Sequence, residues 1–393
     1  MMHLAGREAS SIMNTYRRLP VEFVRGEGSW LFDRTGKAYL DCLSGIAVVS
    51  VGHSNSRVGA AVAEQMSLLV HVSNLFYTAP QVELAERLCL LSGLDRVFFS
   101  NDGATANEAA IKLARRAGQA RRGSACFEII TLDGSFHGRT LATLAATGQP
   151  EKQATFVPLP PGFLQVAPGE FDAMEGAIHS GTAAVMIETT QGEGGVLPLD
   201  EGYLSDLRAL CDERDVLLIV DDVQAGVGRT GTWFSWQQLG FEPDIATTAK
   251  ALANGLPIGA CLATEETAAA FQPGDHATTF GGGPVVCEAA LATLSVIESD
   301  NLLANATARG FQFRDLLARV DGVREVRGRG LLLAAVLDKP IAADLVQAAL
   351  HEGLVINNVR PDAIRFVPPL TITADETRQA VHRFEASFRR LEP

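Results

Sequence analysis

Residues 216–250 read VLLIVDDVQAGVGRTGTWFSWQQLGFEPDIATTAK, and the order of residue types in this stretch decides the fold. Five apolar residues in a row, 216–220, suit a strand covered on both faces, as the central strands of parallel sheets are. Asp221 and Asp222 follow at once, at the carboxyl edge where open α/β sheets bind ligands. A second short strand is expected over 244–248, and Lys250 stands just past its end, ahead of Ala-Leu-Ala-Asn-Gly. A carboxylate and an amine therefore face one crevice. The plain alternative is a solvated surface ion pair, the usual fate of an Asp and a Lys; their position at two strand ends favours a site. An amine that forms a Schiff base must lose its proton, and a buried carboxylate must find a cation. A cofactor with both an aldehyde and a pyridinium nitrogen answers both needs.

That cofactor is pyridoxal phosphate. IVDDVQAGVGRTG followed by AKALANGLPIGA resembles the core of the class III aminotransferases of fold type I, and the resemblance runs from Tyr16 to Pro369. The start, YRRLPVEFVRGEGSWLFDRTGKAYLDCLSGIAVVSVGH, is similar to the acetylornithine aminotransferase subgroup, best at Tyr16, at 45–48 and at Gly52-His53. The resemblance implies an α/β fold whose large domain, 56–283, holds a mainly parallel seven-stranded sheet with helices on both faces. A smaller α+β domain is expected from both termini, residues 1–55 joining residues 284–393.

Composition agrees with a globular enzyme. The 393 residues are 47% hydrophobic and 20% charged, enough for a large core. A net charge of −13 gives no reason to seek nucleic acid or an anionic membrane, both of which need clustered Lys and Arg. The densest basic patch, Arg115-Arg116 with Arg121-Arg122, reads as the solvated end of a helix. Six scattered cysteines without a CxxC suggest neither zinc nor disulfides and fit a reducing cytoplasm. The start MMHLAGREASSIMN lacks the pattern of a signal peptide.

Along the chain, helical spacing is expected at 58–70 and 81–91, with HVSNLFY as a loop between them. Its Asn74 and Tyr77 are packing residues by default, though in the family this loop nears the site. A strand at 97–100 turns through 101–105 into a helix at 106–117. A glycine at such a turn lets backbone N–H groups and the helix dipole face an anion, and SNDGATANEAAIKLAR resembles the family's phosphate-binding turn, which assigns Gly103 and Ala104 to that role. Asp102 and Thr105 depart from the usual Ser and Glu, and a carboxylate beside a phosphate is unfavourable unless it points away. The strand at 126–131 delivers DGSFHGRT. Singly, Phe136, His137 and Arg139 are ordinary core and surface residues; together they resemble the family's FHGRT, where the Phe covers the pyridine ring and the Arg pairs with a substrate carboxylate.

Residues 147–168, with little periodicity and many prolines, read as a long surface excursion without chemistry. A buried strand at 183–187 ends in Glu188-Thr-Thr-Gln-Gly-Glu-Gly-Gly, where Thr189 replaces the family's Pro and Glu193 is kept. Gly226, Gly228 and Gly231 spell G-x-G-x-x-G, but four residues separate them from the strand and no helix follows, so a dinucleotide site is rejected. Thr278, Thr279 and three glycines form a hydroxyl-rich loop; Ala277 and Gly283 replace the commoner Gly and Asn. In the family this threonine reaches the cofactor phosphate of the other subunit, which implies a homodimer with shared sites. From 284 the texture changes to helices and short strands, with VRGRGLLLAA and AIRFVPPLTIT as the family's C-terminal landmarks and Arg365 within the second.

By this resemblance, Lys250 binds pyridoxal phosphate and moves the proton, Asp221 keeps the ring nitrogen protonated, and Gly103, Ala104, Phe136, Gln224 and Thr279 complete the cofactor site. Arg139, Arg365, Thr278, Tyr16 and Glu193 form the substrate site, with Arg365 paired to Glu193 whenever the donor's remote carboxylate sits on Arg139. The implied reaction is transfer of the ω-amino group of N2-acetylornithine to 2-oxoglutarate in arginine biosynthesis, no metal being required. Ile46, where ornithine-specific relatives carry tyrosine, favours an acylated donor. Succinylornithine, N-succinyl-diaminopimelate and free ornithine remain alternative donors, and a non-catalytic binding protein on the same fold is the competing class.

Overall fold

The computed structural model describes residues 4–391. Its centre is a seven-stranded sheet in the order Arg96–Ser100, Gly259–Ala263, Ile245–Thr248, Leu217–Asp221, Thr182–Ile187, Glu128–Leu132, Phe163–Val166. Only Gly259–Ala263 runs against the rest. Alternate residues of the central strands enter two different cores. Ile130, Val185, Leu218, Val220 and Ala246 pack on one face, while Ile129, Ala184, Met186, Leu217, Ile219 and Ile245 pack on the other. Side chains alternate across a pleated strand, so unbroken apolar runs are what a sheet covered on both sides requires. The helix Gly103–Arg122 supplies part of that cover.

This sheet sets the site by register. Asp221 lies opposite Thr247 on the neighbouring parallel strand, and the chain leaves that strand at Thr248 to place Lys250 at the same edge. Four residues of the turn Ser44–Ala47, two of them β-branched or hydroxylated, adopt positive φ, including Ile46 at 69°. Such values are outliers for a β-branched residue and persist only where surroundings impose them. Here Asp41 Oδ1 accepts from the N–H groups of Leu43 (2.9 Å) and Ser44 (2.8 Å), and Ser44 Oγ donates to Val367 O at 2.5 Å.

The termini meet as follows. Phe23–Glu27, Trp30–Asp33 and Ala38–Asp41 form an antiparallel sheet, and its last strand pairs in parallel with Leu354–Val355. A four-stranded sheet ordered Val323–Arg329, Leu332–Leu337, Ala363–Phe366, Asn357–Arg360 carries Arg365. The helix Pro284–Ser299 bridges: it packs on Ser56–Leu68 and Ala79–Ser92 of the large part, so the change of texture at 284 precedes the C-terminal sheet.

Two expectations need correction. The 147–168 segment is more than a surface excursion, because Phe163–Val166 pairs with Glu128–Leu132 and forms the sheet's outer strand. A half-exposed strand of four residues amid prolines is too short for its alternation to be read. The helix expected at 106–117 spans Gly103–Arg122, and its first turn is set by a capping box between Asp102 and Thr105. No helix among the described residues is long and apolar enough to cross a membrane. All six cysteines are free thiols, five of them buried.

Candidate active site

At the carboxyl edge of the sheet a cavity of about 590 Å³ opens, lined by Tyr16, Gly103, Ala104, Phe136, Arg139, Glu193, Asp221, Gln224 and Lys250 together with Val48, Asn107 and Glu188. Asp221 forms its floor. Asp221 Oδ2 accepts from Asn107 Nδ2 at 2.8 Å and meets His137 Nδ1 at 2.7 Å; Oδ1 accepts from Val223 N–H at 3.1 Å. Asn107 in turn accepts from Thr247 Oγ1 at 2.6 Å and donates to His137 O at 2.7 Å. The carboxylate is thus fixed before anything binds. Its neighbour Asp222 points to the other face of the strand, where Oδ2 accepts from Ser235 N–H at 3.0 Å and Oδ1 has no partner. Burial raises the Asp222 carboxyl to about 7.

Lys250 follows a strand end and has a positive φ of 35°, a strained conformation of the kind kept at functional positions. Its amine makes no hydrogen bond to a described residue, and burial holds it below the usual lysine range, against the opposing pull of Glu193. The buried Arg365 stands behind Glu193, with Nη1 2.5 Å from Glu193 Oε1, 3.0 Å from Gln224 Oε1 and 3.4 Å from Gly192 O. Burial alone would raise the Glu193 carboxyl, yet Arg365 outweighs it and holds the group below its ordinary value. Arg139 is exposed, lies 5.5 Å from the centroid of the Phe136 ring and has no ion pair among the described residues.

The helix Gly103–Arg122 aims its first turn into the cavity. The N–H groups of Gly103 and Ala104 have no partner among the described residues, and a Cβ at Gly103 would stand 2.6 Å from Val223 Cγ1. Asp102 turns away from that cradle, because its Oδ1 accepts from Thr105 N–H at 2.8 Å. A free amine, an open carboxylate between fixed donors, an aromatic ring and an unpaired helix start fit a group that carries an aldehyde, a ring nitrogen and a phosphate.

A family model described as "Aminotransferase class-III" matches residues 12–388. The chain is a class III aminotransferase. Acetylornithine aminotransferase of Gloeobacter violaceus is 49% identical over 385 residues, covering 97% of this chain and 96% of that one. Among solved structures, an ornithine aminotransferase from Toxoplasma gondii with partial occupancy of PLP at its active site superposes with a TM-score of 0.94, at 32% identity and covering 99% of this chain and 94% of that one. N-acetylornithine aminotransferase from Stenotrophomonas maltophilia K279a gives 0.84, at 37% identity over 95% and 97%. The fold type I reading therefore stands, and so does that of an active, pyridoxal-phosphate-dependent transaminase over a non-catalytic scaffold.

In this aminotransferase, the threonines lie apart from the Lys250 cavity. Thr278 and Thr279 line a separate hollow of about 1140 Å³ together with Asn74, Gln81 and Phe98. Asn74 staples their loop, donating to Thr278 O at 3.0 Å and Gly281 O at 3.1 Å, whereas Tyr77 is 99% exposed. Three residues of the site carried no assigned role in the sequence. Asn107 and His137 hold Asp221. Glu188 is buried and joins two site elements, since its oxygens accept from Phe136 N–H (3.0 Å) and Gly192 N–H (3.1 Å); burial raises it to about 7, while His137 pulls it down. Its signal was available: like Asp221, it is a carboxylate that follows a buried apolar run, 183–187. Lys152, from the 147–168 segment, reaches 5.6 Å from the Phe136 centroid. Thr189, the departure from the family's Pro, is buried and donates to Ser235 Oγ at 2.6 Å.

Proposed function

We propose that the chain transfers the ω-amino group of N2-acetylornithine to 2-oxoglutarate, as a step of arginine biosynthesis in the cytoplasm, with pyridoxal phosphate held on Lys250. The observation that carries this reading is the buried Arg365 neutralised by Glu193 beside a second, unpaired Arg139 at the mouth. A donor whose reacting amine is remote from its α-carboxylate and an acceptor whose α-carboxylate adjoins the reacting carbon need different cations. Arg139 takes the donor's carboxylate while Glu193 screens Arg365; Glu193 then withdraws and Arg365 takes the α-carboxylate of 2-oxoglutarate or glutamate by a bidentate pair. Leaving either partner buried and uncompensated would be costly, which is why the pair alternates between two complete arrangements. The names of the relatives support the acylated donor.

Bound there, pyridoxal phosphate supplies an aldehyde and an electron-accepting ring. Released when the donor's amine takes its place on that aldehyde, the Lys250 amine, with its lowered proton affinity, would take the proton from the donor's reacting carbon and return it nearby as general base and acid. Asp221 holds a proton at the ring nitrogen, and its fixed donors keep it in line. Gly103 and Ala104 would hold the phosphate on their free N–H groups and Phe136 would cover the ring, while Gln224 orients Arg365. Tyr16 serves the substrate side of its own cavity, and Thr278, which lies apart from that cavity, serves the partner's.

Two copies complete each other's sites, with Thr279 reaching the partner's phosphate. Leu75, Phe76, Tyr77 and Phe280, between 68% and 99% exposed beside that loop, support a covered face. If Lys250→Ala and Thr279→Ala chains, unfolded and refolded together, recover no activity above either parent, shared sites fail. For the substrate, catalytic efficiencies are compared for N2-acetylornithine, succinylornithine, N-succinyl-diaminopimelate and ornithine. Free ornithine outrunning the acylated donors overturns the assignment.

A further inference from the structure

The loop that carries Glu193 is gripped from the far side. The strands Thr190–Gln191 and Leu197–Pro198 pair as a narrow hairpin, and its tip, 192–195, is Gly-Glu-Gly-Gly. Such a tip would have wide backbone freedom. Instead, each carbonyl around Glu193 is met by a guanidinium from the C-terminal sheet. Arg365, on Ala363–Phe366, approaches Gly192 O at 3.4 Å. Arg360, on Asn357–Arg360, donates from Nη1 to Gly194 O at 3.2 Å. Arg327, on Val323–Arg329, donates from Nε to Gly195 O at 2.8 Å. The contact is close-packed as well: a Cβ at Gly195 would stand 2.6 Å from Arg360 Cδ and 2.8 Å from Arg327 Nη2. Arg329 continues the grip with a hydrogen bond to Leu199 O at 3.1 Å.

Arg327 and Arg360 do not touch the cavity. They fix the two carbonyls that follow Glu193, so the main chain there is tied to the same sheet that carries Arg365. We infer that Arg327 and Arg360 are positioning residues for Glu193: they hold the loop's backbone still, so that the exchange between screening and freeing Arg365 is made by the Glu193 side chain alone. Guanidinium-to-carbonyl bonds are charge-assisted and directional, which suits fixing a glycine-rich backbone. Without them the loop drifts, Glu193 screens Arg365 less completely, and the site favours the α-carboxylate of glutamate at the donor's expense. The inference rests on the alternating Glu193–Arg365 pair proposed above.

The test measures both half-reactions of the holoenzyme by rapid mixing, giving apparent dissociation constants for glutamate and for N2-acetylornithine. The variants are Arg327→Gln, Arg360→Gln, the double variant, Arg327→Lys, and Glu193→Gln as comparator. The double variant is expected to bind glutamate about fivefold more tightly and N2-acetylornithine about fivefold more weakly, at the low end of couplings between distinct groups. Arg327→Lys, which keeps the charge and one donor, restores most of the difference. A merely structural role would weaken both ligands together, and that outcome overturns the inference, as does no change in either. Should the double variant fail to fold, as checked by thermal unfolding, the exposed single change Arg360→Gln decides on the same criterion. If Glu193→Gln itself splits the two constants while the arginine variants do not, only the clamp is wrong; if Glu193→Gln leaves them unsplit, the alternating pair falls first.

Discussion

The two acidic centres of the site are built in opposite ways. Asp221 ends a strand of the main sheet and is surrounded by donors from a helix, a loop and its own turn: Asn107 at 2.8 Å, His137 at 2.7 Å and Val223 N–H at 3.1 Å. Glu193 sits at a glycine-flanked hairpin tip and has one charged partner, Arg365, delivered by a different sheet. The first carboxylate has one arrangement, and its task is electrostatic constancy, for which preorganised partners cost nothing at the moment of reaction. The second can exchange a single bond for solvent or ligand. Rigid and switchable charge are thus separated within one cavity, and the difference lies in how each side chain is held.

That contrast is open to breakage. The largest effect is expected at the floor: Asp221→Asn keeps the shape but removes the charge, and kcat/KM with either substrate should fall on the order of 10³-fold, the scale for losing a preorganised electrostatic partner. A loss below tenfold in steady-state assays would show the floor to be structural only. Next comes Asn107→Ala. It strips Asp221, Thr247 and the His137 carbonyl of one partner each, so activity should drop about 10–100-fold, as for other orienting partners, and unfolding by denaturant should show about 1–3 kcal/mol of lost stability. Both half-reactions should suffer alike, because a fixed floor serves both. Unequal losses would erase the distinction from Glu193, whose neutralisation is expected to move the two substrates apart.

The floor's chief residues could be read from the chain, because a charge terminating an apolar strand is conspicuous. Asp221 is of that kind, since it follows a fully buried apolar run, whereas Lys250, after Ile-Ala-Thr-Thr, and the Gly103 turn, after Arg-Val-Phe-Phe-Ser, were legible from the motifs around them. Glu188 likewise follows a buried strand, but its role depends on Phe136 N–H and Gly192 N–H, which only the fold brings to it. Asn107 was hidden differently. It lies within a helix, where an asparagine is an ordinary polar residue, and its meaning comes only from Asp221, more than a hundred residues away. The left-handed turn at 44–47 was equally opaque, since nothing in Ser-Gly-Ile-Ala asks for positive φ beyond the glycine; the cage of Asp41 and Val367 imposes it. The strand Phe163–Val166 lacked length, and Arg327 and Arg360 of the C-terminal sheet showed no function until their carbonyl partners were known.

The smallest catalytic effect is expected one residue from the largest. Asp222 shares the strand end with Asp221 but faces the protein's interior, with one hydrogen bond to Ser235 N–H and an unpartnered Oδ1. Burial raises its carboxyl from 3.8 to about 7, with Ser235 opposing and Asp221 adding to the rise. The folded state therefore holds this proton more tightly than the unfolded chain. The stability it contributes is complete below about pH 4, where both states are protonated, and is lost as pH rises towards 7; above that the deficit is constant, on the order of 4 kcal/mol. Asp222→Asn carries no titrating proton and can still accept from Ser235, but its buried amide nitrogen lacks an acceptor, which costs about 1–3 kcal/mol at every pH. The two terms cross. Urea unfolding should find the wild type more stable at pH 4.5 by up to about 2 kcal/mol and the variant more stable at pH 8 by roughly 1–3 kcal/mol, while kcat/KM changes only a few-fold. A stability difference that stays level with pH would mean that Asp222 is ionised in the fold, and a large loss of activity would make the second aspartate part of the floor.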